Sequence, residues 1–183
     1  MKRIVCAGFG GQGVLTAGLI ISRTAMENGS QVTWIPSYGS EMRGGTANCA
    51  VVISDKKIAS PFFRRSDILI ALNRPSMAKF QEQVVSGGLV ISNSSMVRDL
   101  LSRDDVRQIE VEATGIADEL QNPRGANIVM LGALAAADDY FSKEVMGTGV
   151  ESFFAAKGKN NPKNRDCFLG GYEAVKAYLQ KGE

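Results

Sequence analysis

The stretch that most constrains this chain is a glycine-rich turn set between an apolar strand and a helix. Arg3-Ile4-Val5-Cys6-Ala7 reads as a buried strand, Gly8-Phe9-Gly10-Gly11-Gln12-Gly13 as the turn, and Val14 onward as the helix. With no Cβ in the way, backbone N–H groups in such a turn can approach an anion closely, and the helix dipole favours negative charge at that end. Gly8, Gly10 and Gly13 satisfy the GxGxxG dinucleotide fingerprint in its proper context between strand and helix. The fingerprint also needs an acid near the end of the second strand to hold a ribose hydroxyl. Here that strand ends Trp34-Ile35-Pro36-Ser37, which argues against ordinary NAD binding. Gln12-Gly13-Val14-Leu15 stands where a phosphate-binding loop carries its lysine, which removes ATP hydrolysis by that route. Two readings of the turn remain: glycines kept for close packing, or glycines flanking a Gln12 amide that orients a ligand or partner.

Downstream, Val14, Ala17, Gly18, Ile21 and Ala25 recur at helical spacing, and Asn28-Gly29 supplies a stop. Gln31 to Ile35 is β-branched and aromatic, so strand, helix and strand predict a βαβ unit with the two strands as a parallel pair. A loop from Ser37 to Thr46 precedes a third strand, Ala47 to Ser54, and Ile58-Ala59 is expected to pair back on it as a short hairpin. Asp67 to Asn73 reads as a strand covered on both faces. A helix is expected from Arg74 to about Val85, a buried strand at Leu89 to Ser92, a short capped helix from Asn93 through Leu101, and an edge strand at Val106 to Val111. From Thr114 the pattern is helical: a short helix to Gln121, a break at Pro123-Arg124-Gly125, and a helix from Ala126 to Phe141 apolar on every side. Residues 142 to 157 read as one broken helix or two short ones, with Ser142 and Thr148 as candidate caps. Phe168, Gly171, Tyr172, Val175, Tyr178 and Leu179 mark the packed stripe of a final helix. The expected fold is one α/β domain over residues 1–183: a mostly parallel, Rossmann-like sheet of five or six strands, helices on both faces and a helical C-terminal third.

Composition narrows the chemistry. With 183 residues, 44% hydrophobic and 22% charged, the chain matches a folded globular protein, and its net charge of +2 supplies no field that would favour nucleic acid. The sequence enters a core strand directly and has no membrane-length apolar run, so no leader or membrane segment is expected and a cytoplasmic location is inferred. Histidine is absent, which excludes Ser-His and Cys-His nucleophile systems and histidine metal sites. Cys6, Cys49 and Cys167 lie far apart in apolar surroundings and read as buried thiols. Glu41 and Arg43 read either as a solvated ion pair or as polar groups of a functional loop at the carboxyl edge of the sheet. Lys157, Lys159, Lys163 and Arg165 form either a solvated surface or a patch suited to phosphates or an acidic partner.

Gly8-Phe9-Gly10-Gly11-Gln12-Gly13, paired with Tyr38-Gly39-Ser40-Glu41-Met42-Arg43-Gly44-Gly45-Thr46-Ala47-Asn48-Cys49 before the third strand, resembles the gamma subunit of 2-oxoacid:ferredoxin oxidoreductases. Asn127-Ile128-Val129-Met130-Leu131-Gly132 resembles the same family, so the similarity spans essentially the whole chain. One departure is Ser40, where the family's loop is expected to hold proline. The resemblance implies a noncatalytic subunit of a complex that oxidatively decarboxylates a 2-oxoacid to acyl-coenzyme A and passes electrons to ferredoxin. It implies alpha, beta and ferredoxin-like delta subunits as partners, with thiamine diphosphate and iron–sulfur clusters carried on those subunits. It also implies a share in coenzyme A binding for Gly8, Gly10, Gly11, Gln12, Gly13, Tyr38, Glu41, Arg43 and Gly44. The alternative is a stand-alone nucleotide-binding dehydrogenase or sensor.

Overall fold

The computed structural model describes residues 1–38, 45–97 and 103–181. Its strands are β1 (Lys2–Phe9), β2 (Gln31–Tyr38), β3 (Thr46–Ser54), β4 (Ser66–Ala71), β5 (Val84–Asn93) and β6 (Arg107–Val111). Its helices are α1 (Val14–Glu27), α2 (Arg74–Phe80), α3 (Ala113–Glu119), α4 (Ala126–Ala137), α5 (Lys143–Ala155) and α6 (Lys163–Lys181). The six strands form one sheet in the order β2-β3-β1-β4-β5-β6. β1 pairs parallel with β4, β4 with β5 and β5 with β6, whereas β3 runs antiparallel to both β1 and β2.

The expected α/β fold with a mostly parallel sheet is present, but β1 and β2 are not neighbours. They run the same way with β3 inserted between them. Burial explains the order. Cys49, Val51, Val52, Ile53 and Ser54 of β3 are all buried, so β3 needs cover on both faces and both edges. β2 carries exposed Gln31, Ser37 and Tyr38 and tolerates the edge.

The two faces are unequally covered. Ile4 and Cys6 of β1 face a large core built with α1, α3, α4, α5 and α6. Val5 and Ala7 face a smaller one with Met77 and Phe80 of α2. Within the larger layer α4 is the interior helix, with residues Asn127 through Ala137 all buried, as its uniformly apolar sequence requires. It meets α6 almost backbone to backbone. A Cβ at Gly132 would lie 1.9 Å from the Phe168 carbonyl oxygen, and one at Gly171 would lie 1.9 Å from that of Val129.

Several boundaries differ from those expected. Residues 55–65 form no hairpin, because Ser60 bonds to the Phe62 backbone across Pro61 and turns the segment toward β4. The helix after Arg74 ends at Phe80 and gives way to a 3-10 turn, Gln81–Gln83. The following strand starts at Val84, whose β-branched side chain is fully buried and which pairs with Ser66. The ladder then shifts register before Leu89, around Gly87 at φ 75°. The short helix expected through Leu101 falls partly outside the described residues. α4 stops at Ala137, where Asp138 turns out of the helix and pairs with Lys2. Residues 143–155 are one helix capped by Ser142, whose Oγ accepts from the Val145 amide, so Thr148 lies inside it. Tyr178 points to solvent rather than into the packed stripe of α6.

Arg3 and Asp67 tie the start of β1 to the start of β4. The Arg3 amide, Nε and Nη2 donate to the carboxylate at 2.8, 2.9 and 2.8 Å. Burial pushes the Asp67 carboxyl up, but the Arg3 hydrogen bonds and charge outweigh it and hold the group below its ordinary value. A depressed folded value means that the stabilisation is present above the unfolded pKa and lost as pH falls through the folded one. Asp67→Asn is therefore expected to cost about 1 kcal/mol at pH 7 in urea unfolding, a difference that shrinks as the pH drops below about 4. Gly132→Ala is expected to cost about 3 kcal/mol in the same assay, because neither backbone can retreat from the added methyl.

Candidate functional site

At the carboxyl edge of the sheet, β1 feeds α1 on one face and β4 feeds α2 on the other, which makes the space between their ends a topological switch point. The glycine turn lies on it. Gly11 and Gly13 hold φ of 95° and 73°, a region that favours glycine. Gly8 is there for packing, since its Cβ would meet Val14 Cγ2 at 2.7 Å. Gly10 differs from the others: it is exposed without a positive φ, and among the described residues an added Cβ would find nothing nearer than the Gly45 carbonyl oxygen at 3.9 Å.

Gln12 closes the turn from inside. Its Oε1 accepts from the Phe9 amide at 2.7 Å and from Asn73 Nδ2 at 3.0 Å, and its Nε2 donates to the Leu72 carbonyl at 3.4 Å. Asn73 in turn caps α2 by accepting from the Ser76 amide at 2.9 Å. Asn93, fully buried at the end of β5, donates to the Leu72 carbonyl at 3.5 Å and to Thr114 Oγ1 at 2.9 Å. Within the larger layer, buried Asn127 donates to the Gly13 carbonyl at 3.1 Å, fixing the start of α4 against the start of α1. A row of amide side chains thus runs along the strand ends and ties the glycine turn, the end of β4 and the starts of α2, α3 and α4 together. Asn73, Asn93 and Asn127 were not singled out as site residues from sequence. The available signal was an asparagine directly after an apolar strand, in Leu72-Asn73 and Ser92-Asn93.

The second loop stands beside the first. Phe9 pairs with Thr46, Tyr38 with Ala47, and the Gly10 amide donates to the Gly45 carbonyl at 3.1 Å. Tyr38 is 72% exposed at the end of β2. Glu41, Arg43 and Gly44 lie outside the described residues. The structure therefore brings Gly8, Gly10, Gly11, Gln12 and Gly13 to one edge with Tyr38. α1 begins at Val14 after Gly13, with no side-chain cap and no acid in its first turn, and the positive end of its dipole faces this edge.

The cations near the C-terminus are mostly engaged within the chain. Lys157 sits 4.2 Å from the Phe153 ring centroid, Lys163 donates to Gln121 Oε1 at 2.8 Å, and Arg165 pairs with Glu151 at 2.8 Å. Lys159 lines a cavity of about 530 Å3 between the end of α5 and the start of α6. The three cysteines are buried and free, with Cys6 directly opposite Cys49 on paired strands. Among the described residues no helix is long and apolar enough to cross a membrane.

An α/β sheet with one antiparallel strand, a glycine turn at its switch point and a helical layer on one face defines a class that comparison makes specific. Residues 3–174 match the model of the family described as pyruvate ferredoxin/flavodoxin oxidoreductase. The ketoisovalerate oxidoreductase subunit VorA of Methanothermobacter thermautotrophicus is 39% identical over 179 residues, 97% of this chain and 37% of that protein. The 2-oxoglutarate synthase subunit KorC of Methanocaldococcus jannaschii is 37% identical over 178 residues, 96% of this chain and 94% of that protein. This chain therefore spans about a third of the VorA relative and nearly all of KorC. Among solved structures, the keto/oxoacid ferredoxin oxidoreductase gamma subunit of Geobacter sulfurreducens superposes with a TM-score of 0.80 at 29% identity, covering 97% of this chain and 99% of that one. The 2-oxoglutarate:ferredoxin oxidoreductase of Magnetococcus marinus, solved with 2-oxoglutarate, coenzyme A and succinyl-CoA bound, shares the fold with a TM-score of 0.80 at 21% identity over 99% of this chain and 32% of that one. This chain belongs to the pyruvate ferredoxin/flavodoxin oxidoreductase family, as a gamma-type subunit of 2-oxoacid:ferredoxin oxidoreductases.

Two substitutions separate scaffold from surface in the turn. Gln12→Ala strips partners from the Phe9 amide and Asn73, and is expected to cost about 2 kcal/mol in chemical denaturation. Gly10→Ala is expected to change stability by less than about 0.5 kcal/mol.

Proposed function

We propose that this chain works as the gamma subunit of a complex that oxidatively decarboxylates a 2-oxoacid, transfers the acyl group to coenzyme A and passes electrons to ferredoxin, and that its glycine turn contributes to coenzyme A binding. The observation that carries this reading is Gly10. Its neighbours are required by backbone angle or packing, but Gly10 is exposed, has no positive φ, and among the described residues its missing Cβ would meet nothing nearer than the Gly45 carbonyl. A glycine not needed for the fold of its own chain is explained by a group approaching from outside. The uncapped start of α1 next to it suits an anionic group, and coenzyme A brings phosphates.

When bound, coenzyme A supplies the thiol that accepts the acyl group. On this chain, Gly10 and Gly11 leave room for close approach and the first turn of α1 faces negative charge. Gln12 contributes indirectly, because its amide is committed to Phe9, Asn73 and Leu72 and holds the turn in shape. Tyr38 flanks the same edge, with Glu41, Arg43 and Gly44 in the adjoining loop as further contacts. Thiamine diphosphate and iron–sulfur clusters belong to the alpha, beta and ferredoxin-like delta subunits in this reading.

Gly10→Asp tests the coenzyme role in the assembled complex. Its carboxylate meets no obstruction among the described residues but repels a phosphate, so the KM for coenzyme A is expected to rise about tenfold while the KM for the 2-oxoacid stays unchanged. A normal complex with an unchanged KM for coenzyme A overturns that role. Calorimetry of the isolated chain in which NAD binds and coenzyme A does not would favour the stand-alone dehydrogenase.

A further inference from the structure

The end of the sheet opposite the glycine turn carries a second feature. Residues 55–65 connect the end of β3 to the start of β4 across the amino edge, in the sequence Asp55-Lys56-Lys57-Ile58-Ala59-Ser60-Pro61-Phe62-Phe63-Arg64-Arg65. Phe62 is 76% exposed, which leaves most of a large apolar ring in water. It is not on a loose tip. Ser60 Oγ accepts from the Phe62 amide at 3.2 Å and donates to the Phe62 carbonyl at 3.4 Å, Pro61 fixes the intervening backbone, and Phe63 anchors the segment against the smaller core.

Under this aromatic lies a cavity of about 440 Å3 lined by Val52 of β3 together with Phe62, Phe63, Arg64 and Arg65. Arg64 and Arg65 are exposed, and among the described residues neither takes part in an ion pair. With Lys56 and Lys57 the segment carries four cations against one acid, Asp55, in a chain whose net charge is only +2. The patch continues onto sheet. On this side the one described helix, α2, packs on β1 and β4. Ile35 and Ala50 pair across β2 and β3 and stay half-buried there.

We propose that this aromatic and arginine patch, with the adjoining face of β2 and β3, is the docking surface for a larger subunit of the oxidoreductase, one that presents an apolar pocket for Phe62 rimmed by carboxylates for Arg64 and Arg65. The inference rests on the subunit reading above and adds the surface and chemistry of the contact. A rigid aromatic beside arginines has the composition of an interface hot spot. Unpaired cations around an apolar centre are complemented by an acidic rim, which gives the contact its register. The partner is larger than this chain because the matching stretch is only 37% of the VorA polypeptide, so in that protein the same domain shares a chain with a bigger body. The contact lies at the amino edge and leaves the glycine turn free at the other end.

The test is co-expression of the chain with its own complex partners, followed by size-exclusion chromatography and quantitation of each subunit. The wild-type chain is expected to elute with the larger subunits. Phe62→Asp and the double variant R64E/R65E are expected to weaken that association about thirtyfold or more, while R64K/R65K retains most of it and all three isolated variants keep the wild-type circular dichroism and melting temperature. Assembly of Phe62→Asp and R64E/R65E as tight as wild type, with the wild-type complex intact, overturns the docking surface alone. Wild-type chain that elutes with none of the subunits overturns the subunit reading and this surface with it. A wild-type homodimer lost in Phe62→Asp, in place of the mixed complex, assigns the patch to a second copy and also overturns the proposal.

Discussion

The register of β1 between two neighbours of opposite direction is the constraint on which the rest of the structure depends. Pairing Phe9 with Thr46 on one side, and Ala7 with Ala71 on the other, brings the glycine turn, the return of the second loop and the exit from β4 to the same edge. Because side chains alternate along a strand, this register also sends Ile4 and Cys6 to the large helical layer and Val5 and Ala7 to the small one. A slip by one residue would exchange both sets and detach the turn from Gln12's partners. The Arg3–Asp67 contact at the other end of the same strand reinforces the register through one charged pair and one backbone amide.

The carboxyl edge is held by amides rather than charges. Gln12, Asn73 and Asn93 satisfy carbonyls and N–H groups at strand ends and helix starts, and Asn127 adds a second donor to the Gly13 carbonyl, which already accepts the Ala17 amide. Neutral side chains do this without placing a permanent negative charge beside the start of α1, so the dipole there stays available to an incoming anion. The helical layer below is equally committed, since Gly132 and Gly171 allow α4 and α6 to meet at backbone distance.

Much of this was legible in the residues. Strand-turn-helix at the start, the buried run at β4, the edge character of β6 and the all-apolar α4 each follow from periodicity over a short window. The nearness of the two glycine loops was signalled by resemblance and is realised through the Gly10–Gly45 hydrogen bond. The insertion of β3 was not legible, because strand order is decided by which strand most needs two covered edges, and that competition involves the whole sheet. The end of α2 at Phe80 was missed for a similar reason: Val84 leaves helical geometry to pair with Ser66, a residue 18 positions earlier.

By itself the sequence determined most of the element types and the absence of histidine from the side-chain inventory, because these depend on local periodicity and on composition. Only the tertiary structure decided that Gln12 turns inward to bind its own chain, that Gly10 is the glycine left over, and that Phe62 with Arg64 and Arg65 stands out at the far edge. Hydrogen-bond partners and exposure are set by residues tens of positions away, and no local pattern encodes them.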